Sequence, residues 1–370
     1  MREILLPPTV VYSGDLTTCR LFWQTESTAR PLEHRQLVAL LECTLPAPDL
    51  RFGAPLMDAF STQEIANRLR RARNTSPGAD RLEYRHLRAL DPDCLLITPI
   101  LNACLHFGEV PASWRDGFTI LLHKHGDPSS PGNFRPITLL PTLYKLLSGC
   151  LASRLSALAS TCGLISPQQK GFVPGIEGCL EQSFLVEAAF EEARLRHSPP
   201  LFACFLDLQN AFGSVPHEIL CRVLSRIGLD HRFVDFITRL YTNSVVSLRV
   251  RDSTLPSIAA SAGVRQGDPL SPILFNLAME PILRSITGIP NAHFPLGRQR
   301  LTACALADDL ALFSSSVTGL QSLVDAAGSA ASLLGMRFRP DKCRVVARLG
   351  AAAVPTRAFL HDILIPELPP

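Results

Sequence analysis

The stretch Cys304–Phe313, CALADDLALF, sets two aspartates, Asp308 and Asp309, between two short apolar runs. Apolar runs of about four residues on either side of a polar dipeptide are the pattern of a β-hairpin, here with Asp-Asp as its turn. Aspartate is a good turn former without any further role. These flanks, however, lack the polar alternation of a strand with one wet face, and strands apolar on both faces are usually buried on both. Two carboxylates at such a bend repel each other and lose hydration, which is costly unless a cation or donors compensate. A divalent metal would answer that need if the rest of the chain supplied another ligand.

Leu201–Leu229, LFACFLDLQNAFGSVPHEILCRVLSRIGL, supplies one. Its first residues read as a buried strand carrying a single charge, Asp207, on the same face as Ala203 and Phe205. A lone charge at the end of a buried strand is rare without a partner. The pattern then turns helical, with Ser214 as cap, Pro216 in the first turn, and Ile219, Leu220, Val223, Leu224 and Ile227 as the apolar stripe. Asp207 therefore falls at a strand-to-loop transition, a common place for ligands and catalysts.

Ser261–Ile286, SAGVRQGDPLSPILFNLAMEPILRSI, reads as a tight loop with Gly263 and Gly267, then a helix beginning near Ser271 and Pro272. Glycines at such a bend let the backbone approach a ligand. Gln266 is a hydrogen-bonding group there, for a ligand or for its own loop, and Asp268 reads as a turn or cap residue. The order along the chain is then an acid on a strand, a Gly-Gln loop with its helix, an acidic hairpin, and Lys342 in a further strand region. Phosphoryl transfer calls for this set, with paired Mg²⁺ ions about 3.5–4 Å apart clamping the attacking and leaving oxygens. Hard magnesium prefers carboxylate oxygens, and phosphates and waters complete its shell. Asp207 and Asp308 would bridge both ions, with Asp309 supporting one.

Composition bounds the remaining possibilities. A chain of 370 residues exceeds one average domain, and 46% hydrophobic against 19% charged residues excludes a disordered protein. The net charge of +3 is slight, so affinity for nucleic acid must come from local clusters. Seven arginines between Arg68 and Arg88 face only Glu64, Asp80 and Glu83, which makes either a phosphate-contacting surface or a solvated helix face. Eleven scattered cysteines without a CxxC pair read as buried free thiols in a reducing, intracellular setting, nucleus or cytoplasm. No uncharged apolar stretch reaches membrane-spanning length, so no membrane partner is expected.

Four segments are expected. Residues 1–60 form an unassigned N-terminal extension without clear periodicity. Residues 61–165 hold basic helices, the first capped by Ser61 or Thr62, and a strand-loop-strand-helix passage in which Lys124 and Arg135 project from neighbouring strands. Residues 166–350 carry the acids, and 351–370 form a C-terminal remnant.

With these motifs in order, the chain resembles the reverse transcriptase of non-long-terminal-repeat, LINE-like retrotransposons, from about Ser76 to about Ala347. SPGADRLEYRHL is similar to the family's entry motif and HKHGDPSSPGNFRPITLLPTLYKLL to its fingers motif. QQKGFVPGIEGCLEQ looks like its template-gripping segment. FLDLQNAFGSVPH, GVRQGDPLSPILFNLAMEPIL and LADDLALFSSS resemble the palm motifs. The resemblance implies an α+β right-hand fold of palm and fingers, an antiparallel palm sheet with packed helices, and a short or absent thumb. It also implies an RNA-directed DNA polymerase that joins dNTPs to a primer 3′-hydroxyl on an RNA template, with Mg²⁺, or Mn²⁺ in its place, as cofactor. RNA template, DNA primer or target DNA, and dNTPs are the implied partners.

By the same resemblance Asp207, Asp308 and Asp309 match the metal-binding triad. Phe212 matches the bulky gate against a ribose 2′-hydroxyl, Gln266 a nucleotide-pocket residue, and Lys124 and Arg135 basic positions near the triphosphate. Lys342 matches a palm lysine suited to protonate departing pyrophosphate. The chain departs from the pattern at Leu306, where an aromatic is usual, at Asn210 and Gly213, and at Val173 and Ile176, where arginines are common. Together with the short stretch after Lys342 and no visible endonuclease segment, these departures give an alternative expectation: an impaired retrotransposon fragment acting at most as a nucleic-acid-binding or scaffold protein.

Overall fold

The computed structural model describes residues 10–45, 56–115, 117–195, 197–350, 352–353 and 355–368. Its strands in chain order are β1 (Phe118–His123), β2 (Phe134–Leu139), β3 (Leu201–Leu206), β4 (Val245–Val250), β5 (Ser253–Thr254), β6 (Ile258–Ala259), β7 (Phe294–Leu296), β8 (Gln299–Leu301), β9 (Ala303–Leu306), β10 (Asp309–Ser314), β11 (Arg344–Leu349), β12 (Ala352–Ala353), β13 (Phe359–Leu360) and β14 (Ile363–Leu364). Helices fill the intervals, so helix and sheet are mixed, as the α+β expectation requires. Two compact units form, each from three separate stretches: Met1–Ala29, Pro48–Leu158 and Phe212–Leu274 in the first, Arg30–Ala47, Ala159–Ala211 and Phe275–Pro370 in the second. The units are thus interleaved along the chain, whereas the four expected segments are consecutive.

The first unit holds the sheet β2-β1-β4-β5, with β6 also paired to β4. The hairpin β1–β2 is antiparallel, from Phe118↔Leu139 to His123↔Phe134, while β4 runs parallel to β1. Tyr12, Cys19, Trp23, Leu121, Phe134, Leu248 and Ile258 are among the residues of its core. Cys19 and Trp23 come from a helix, Leu16–Glu26, inside the segment read as featureless. Two buried residues one turn apart are too few to make a periodic pattern, and this explains the miss. The helix Thr62–Arg71 begins where expected, with the Ser61 hydroxyl accepting from the Glu64 amide at 3.1 Å. In the helix His217–Arg226 the expected stripe is buried, with Ile227 buried just beyond its end. Its cap position is Pro216, however, and Ser214 instead ends a separate short turn, Ala211–Ser214.

The second unit is built on an antiparallel sheet in the order β12-β11-β3-β10-β9. Central β3 is apolar on both faces and shows Leu201, Ala203 and Cys204 at 0% exposure. The helix Gly178–Arg194 packs on this sheet through Ala189 and Ala193, whose small side chains allow close approach. The described cysteines are free thiols, seven of them buried, Cys162 and Cys221 partly so, and Cys43 and Cys179 exposed. Among the described residues no helix is long and apolar enough to cross a membrane.

Candidate active site

The hairpin of CALADDLALF is present, one residue out of the expected phase. Asp309 belongs to β10 and pairs with Leu306, so the two linking residues are Ala307 and Asp308 and not the aspartate pair. Ala307 takes φ +58°, a left-handed conformation that costs a residue with a Cβ roughly 1 kcal/mol or more unless its surroundings impose it. The register of β10 on β3 ends at Leu310↔Leu206, and one further step brings Asp207 opposite Asp309. Opposite residues in such a ladder have Cα atoms about 4.5–5.5 Å apart, so the two carboxylates share one end of the sheet. Partial desolvation, and after it the Asp207 carboxylate, push the Asp309 carboxyl above its ordinary pKa.

On its other side Asp207 faces the turn that leads into β11. Its carbonyl accepts from the Arg339 amide at 2.8 Å, and its own amide donates to the Cys343 sulfur at 3.5 Å. Lys342 lies in this turn, two residues before β11 begins at Arg344, and not within the strand. Asp207, Asp308, Asp309 and Lys342 are therefore carried by neighbouring strand ends of a single sheet. Asn210, one of the departures from the family pattern, sits at φ +46°, where asparagine is well tolerated.

The acidic turn is held by a residue that the motifs had not singled out. Gln168–Gly171 lies along β9, with the Lys170 amide donating to the Ala305 carbonyl at 2.9 Å and the Ala305 amide to the Gln168 carbonyl at 3.0 Å. Between them Gln169, 2% exposed, turns its carboxamide onto the hairpin. Its Oε1 accepts from the Ala307 and Gly171 amides, both at 2.8 Å, and its Nε2 donates to the Ala307 carbonyl at 3.0 Å. A Cβ on Gly171 would run into the Ala307 backbone. The Gly171 carbonyl in turn accepts from Asn276 Nδ2 at 2.8 Å. In the sequence Gln169 is one polar residue of a loop, and only its pairing across 138 positions reveals the role.

The other candidates, Lys124, Arg135, Phe212 and Gln266, lie in the first unit. Lys124 follows β1 and donates its amide to the Asn133 carbonyl, while Arg135 pairs with Leu122 on exposed β2 positions. Gln266 accepts at its carbonyl from the Thr138 amide at 2.7 Å, which seats its loop against the end of β2. Gly267 must be glycine here, because at φ +114° a Cβ would strike the Thr138 carbonyl. Phe212 joins the same assembly, its carbonyl accepting from the Val264 amide at 2.7 Å. His217, another residue missed in the sequence, bonds the Gly263 carbonyl through Nε2 at 3.0 Å. Burial pushes its pKa down to about 4, so the ring is neutral at physiological pH and Nε2–H donates. Asp268 accepts from the Leu270 amide and from the Tyr144 hydroxyl, the turn role expected of it.

Among the described residues no three His, Cys, Asp or Glu side chains gather into a protein-only metal cage. The acids fit a different kind of ion. Carboxylates at an open sheet end, one with its charge made costly by partial desolvation and then by the other, suit a hard cation that draws its remaining oxygens from substrate phosphate and water.

The model of the family described as reverse transcriptase (RNA-dependent DNA polymerase) matches residues 122–359. The Retrovirus-related Pol polyprotein from type-2 retrotransposable element R2DM of Drosophila melanogaster is 33% identical over 277 residues, covering 74% of this chain and 25% of that protein. The polyprotein from type-1 retrotransposable element R2 of Popillia japonica is 31% identical over 314 residues, covering 83% of this chain and 43% of that protein. The RNA-directed DNA polymerase from mobile element jockey of Drosophila melanogaster is 27% identical over 342 residues, 86% of this chain and 36% of that protein. The chain thus spans between a quarter and under half the length of these relatives. A matched region that contains Lys124, Arg135, Asp207, Phe212, Gln266, the acidic hairpin and Lys342 leaves one assignment: the chain belongs to the reverse transcriptase (RNA-dependent DNA polymerase) family.

Proposed function

We propose that the chain is the RNA-directed DNA polymerase portion of a non-long-terminal-repeat retrotransposon protein. The observation that carries the reading is the placing of Asp207 opposite Asp309 at one sheet end, with Asp308 in the adjoining turn. In this reading the second unit's antiparallel sheet is the palm, and the hairpin β1–β2 belongs to the fingers. Asp207 and Asp308, supported by Asp309, would hold Mg²⁺, which when bound supplies charge neutralisation for the phosphates and lowers the pKa of the attacking hydroxyl.

The remaining steps belong to the chain's own residues. Lys124 and Arg135, both exposed, are cations suited to triphosphate oxygens. Gln266, half-buried on a loop fixed to Thr138, offers a carboxamide to the incoming nucleotide, and Phe212 offers bulk against a 2′-hydroxyl. Lys342 in its turn beside Asp207 is the proton donor for departing pyrophosphate. RNA template, DNA primer and dNTPs are the substrates that this chemistry requires.

The purified chain, given primed RNA, dNTPs and Mg²⁺, should extend the primer. Asp308→Ala should lower the rate about a thousandfold, equivalent to about 4 kcal/mol of transition-state stabilisation. Wild type and variant equally inert while both bind RNA would replace the polymerase reading with that of a nucleic-acid-binding scaffold.

A further inference from the structure

The segment Gln168–Gly171 resembles a template-gripping motif, yet its contacts in the second unit are with the acidic turn. Gln169 makes three hydrogen bonds with its carboxamide, two of them to the single residue Ala307 and none to a charged group. A buried carboxamide that both donates to and accepts from one residue fixes the two peptide groups on either side of that residue, here those joining Ala307 to Leu306 and to Asp308. Ala307 needs such fixing. It holds a left-handed φ without being glycine, and the next residue is Asp308. Gly171 adds a steric stop on the same turn, since no side chain fits between it and Ala307.

We propose that Gln169 is a positioning residue for the metal-binding carboxylates, locking the peptide groups on both sides of Ala307 so that Asp308 leaves the turn at the angle its ligand role needs. The proposal rests on the metal-binding role given to the acids in the proposed function. Gln169 touches no substrate in this account, and its effect passes through the backbone of one residue. Partners that orient a ligand from outside the metal's own shell typically change affinity roughly 10- to 100-fold when removed.

The test compares the full chain with Gln169→Leu, which deletes all three bonds, and with Gln169→Glu, which keeps the size and the accepting oxygen but loses the donor to Ala307. Gln182→Leu is the control. It removes two hydrogen bonds to the same stretch, onto the carbonyls of Gln168 and Ala305, but leaves Ala307 alone. Mn²⁺ affinity is read by electron paramagnetic resonance well below the melting temperature, and exchange of the Ala307 amide by NMR.

In Gln169→Leu the Mn²⁺ dissociation constant should rise roughly 10- to 100-fold and Ala307 should lose its protection, with a smaller rise in Gln169→Glu. Gln182→Leu should stay within about threefold of wild type, since its bonds reach the carbonyls of Gln168 and Ala305 and not the Ala307 turn. Unchanged affinity in both Gln169 variants, or an equal loss in Gln182→Leu, overturns the proposal. A wild type that binds Mn²⁺ with this pattern yet extends no primer defeats the polymerase reading and leaves the positioning role standing. A wild type that binds no Mn²⁺ defeats both.

Discussion

Asp309 is partly desolvated and stands beside another charge of its own sign, and the consequence is a pH-dependent stability. A carboxyl whose pKa is raised by folding binds its proton more tightly in the folded state. It therefore opposes folding once pH passes the ordinary aspartate value of 3.8, and does so in full above its folded pKa. Without divalent metal, Asp309→Asn should melt above wild type at neutral pH, and the difference should shrink to nothing below the ordinary value, where both side chains are uncharged. Calorimetry across that range checks the sign, and a variant that melts lower at neutral pH would mean that Asp309 already has compensating donors. Mg²⁺ should raise the wild type's melting temperature more than the variant's, because a ligand stabilises the state that binds it. The same anomaly made the acids legible in the sequence. Asp207 and the Asp308–Asp309 pair interrupt apolar runs, and a charge there demands a reason. Gln169 interrupts nothing, because polar residues in a glycine-punctuated loop are ordinary, and its partner is settled only by the folded pairing of Gln168–Gly171 with β9.

At the scale of elements, the Gln169 segment is anchored by a buried carboxylate. Glu280, on the helix Ser271–Thr287 and 1% exposed, accepts from the Ser166 amide at 2.8 Å and from the Ser166 hydroxyl at 2.7 Å. Arg284, one turn along, completes the group with Nε at 2.8 Å and reaches the carbonyls of Gly163 and Leu164. Only Pro167 and Gln168 separate Ser166 from Gln169, so this anchor bears on the acidic turn through a short backbone. Glu280→Ala leaves the Ser166 amide and hydroxyl without their acceptor inside the protein. Each such group costs about 1–3 kcal/mol, and Arg284, partly exposed, recovers some hydration, so a loss of about 3 kcal/mol is expected in urea denaturation. A loss under about 1 kcal/mol would show that water replaces the carboxylate. Elements that stand on a strong pattern were readable, as the hairpin β9–β10 and the stripe of the helix His217–Arg226 show. The helices Leu16–Glu26 and His34–Thr44 were not, since each buries one pair a turn apart, Cys19 with Trp23 and Leu37 with Leu41.

For the whole molecule, interleaving of the two units sets how the chain can be cut and how it must fold. The central strand β3 has both neighbours, β10 and β11, roughly 100 or more residues downstream. No local contact can stabilise it early, and closure of so long a loop precedes any return from pairing, which slows folding. This distance is also why a linear reading divided the chain into consecutive segments, because nothing near Phe202 announces that its partners are Ser314 and Ala347. A chain truncated after Arg298 keeps every stretch of the first unit but deletes both neighbours of β3. The bare strand would present LFACFL, six apolar residues with high strand propensity and no charge, on two unpaired edges. Such a truncated chain should bind a hydrophobic dye, scatter light at micromolar concentration and lack the second unit's share of the cooperative transition, whereas the full chain should stay clear. If it remains monomeric and dye-negative with a single sharp melt, β3 is covered by residues before Arg298, and the sheet order given by the pairings of β3 is not what protects it.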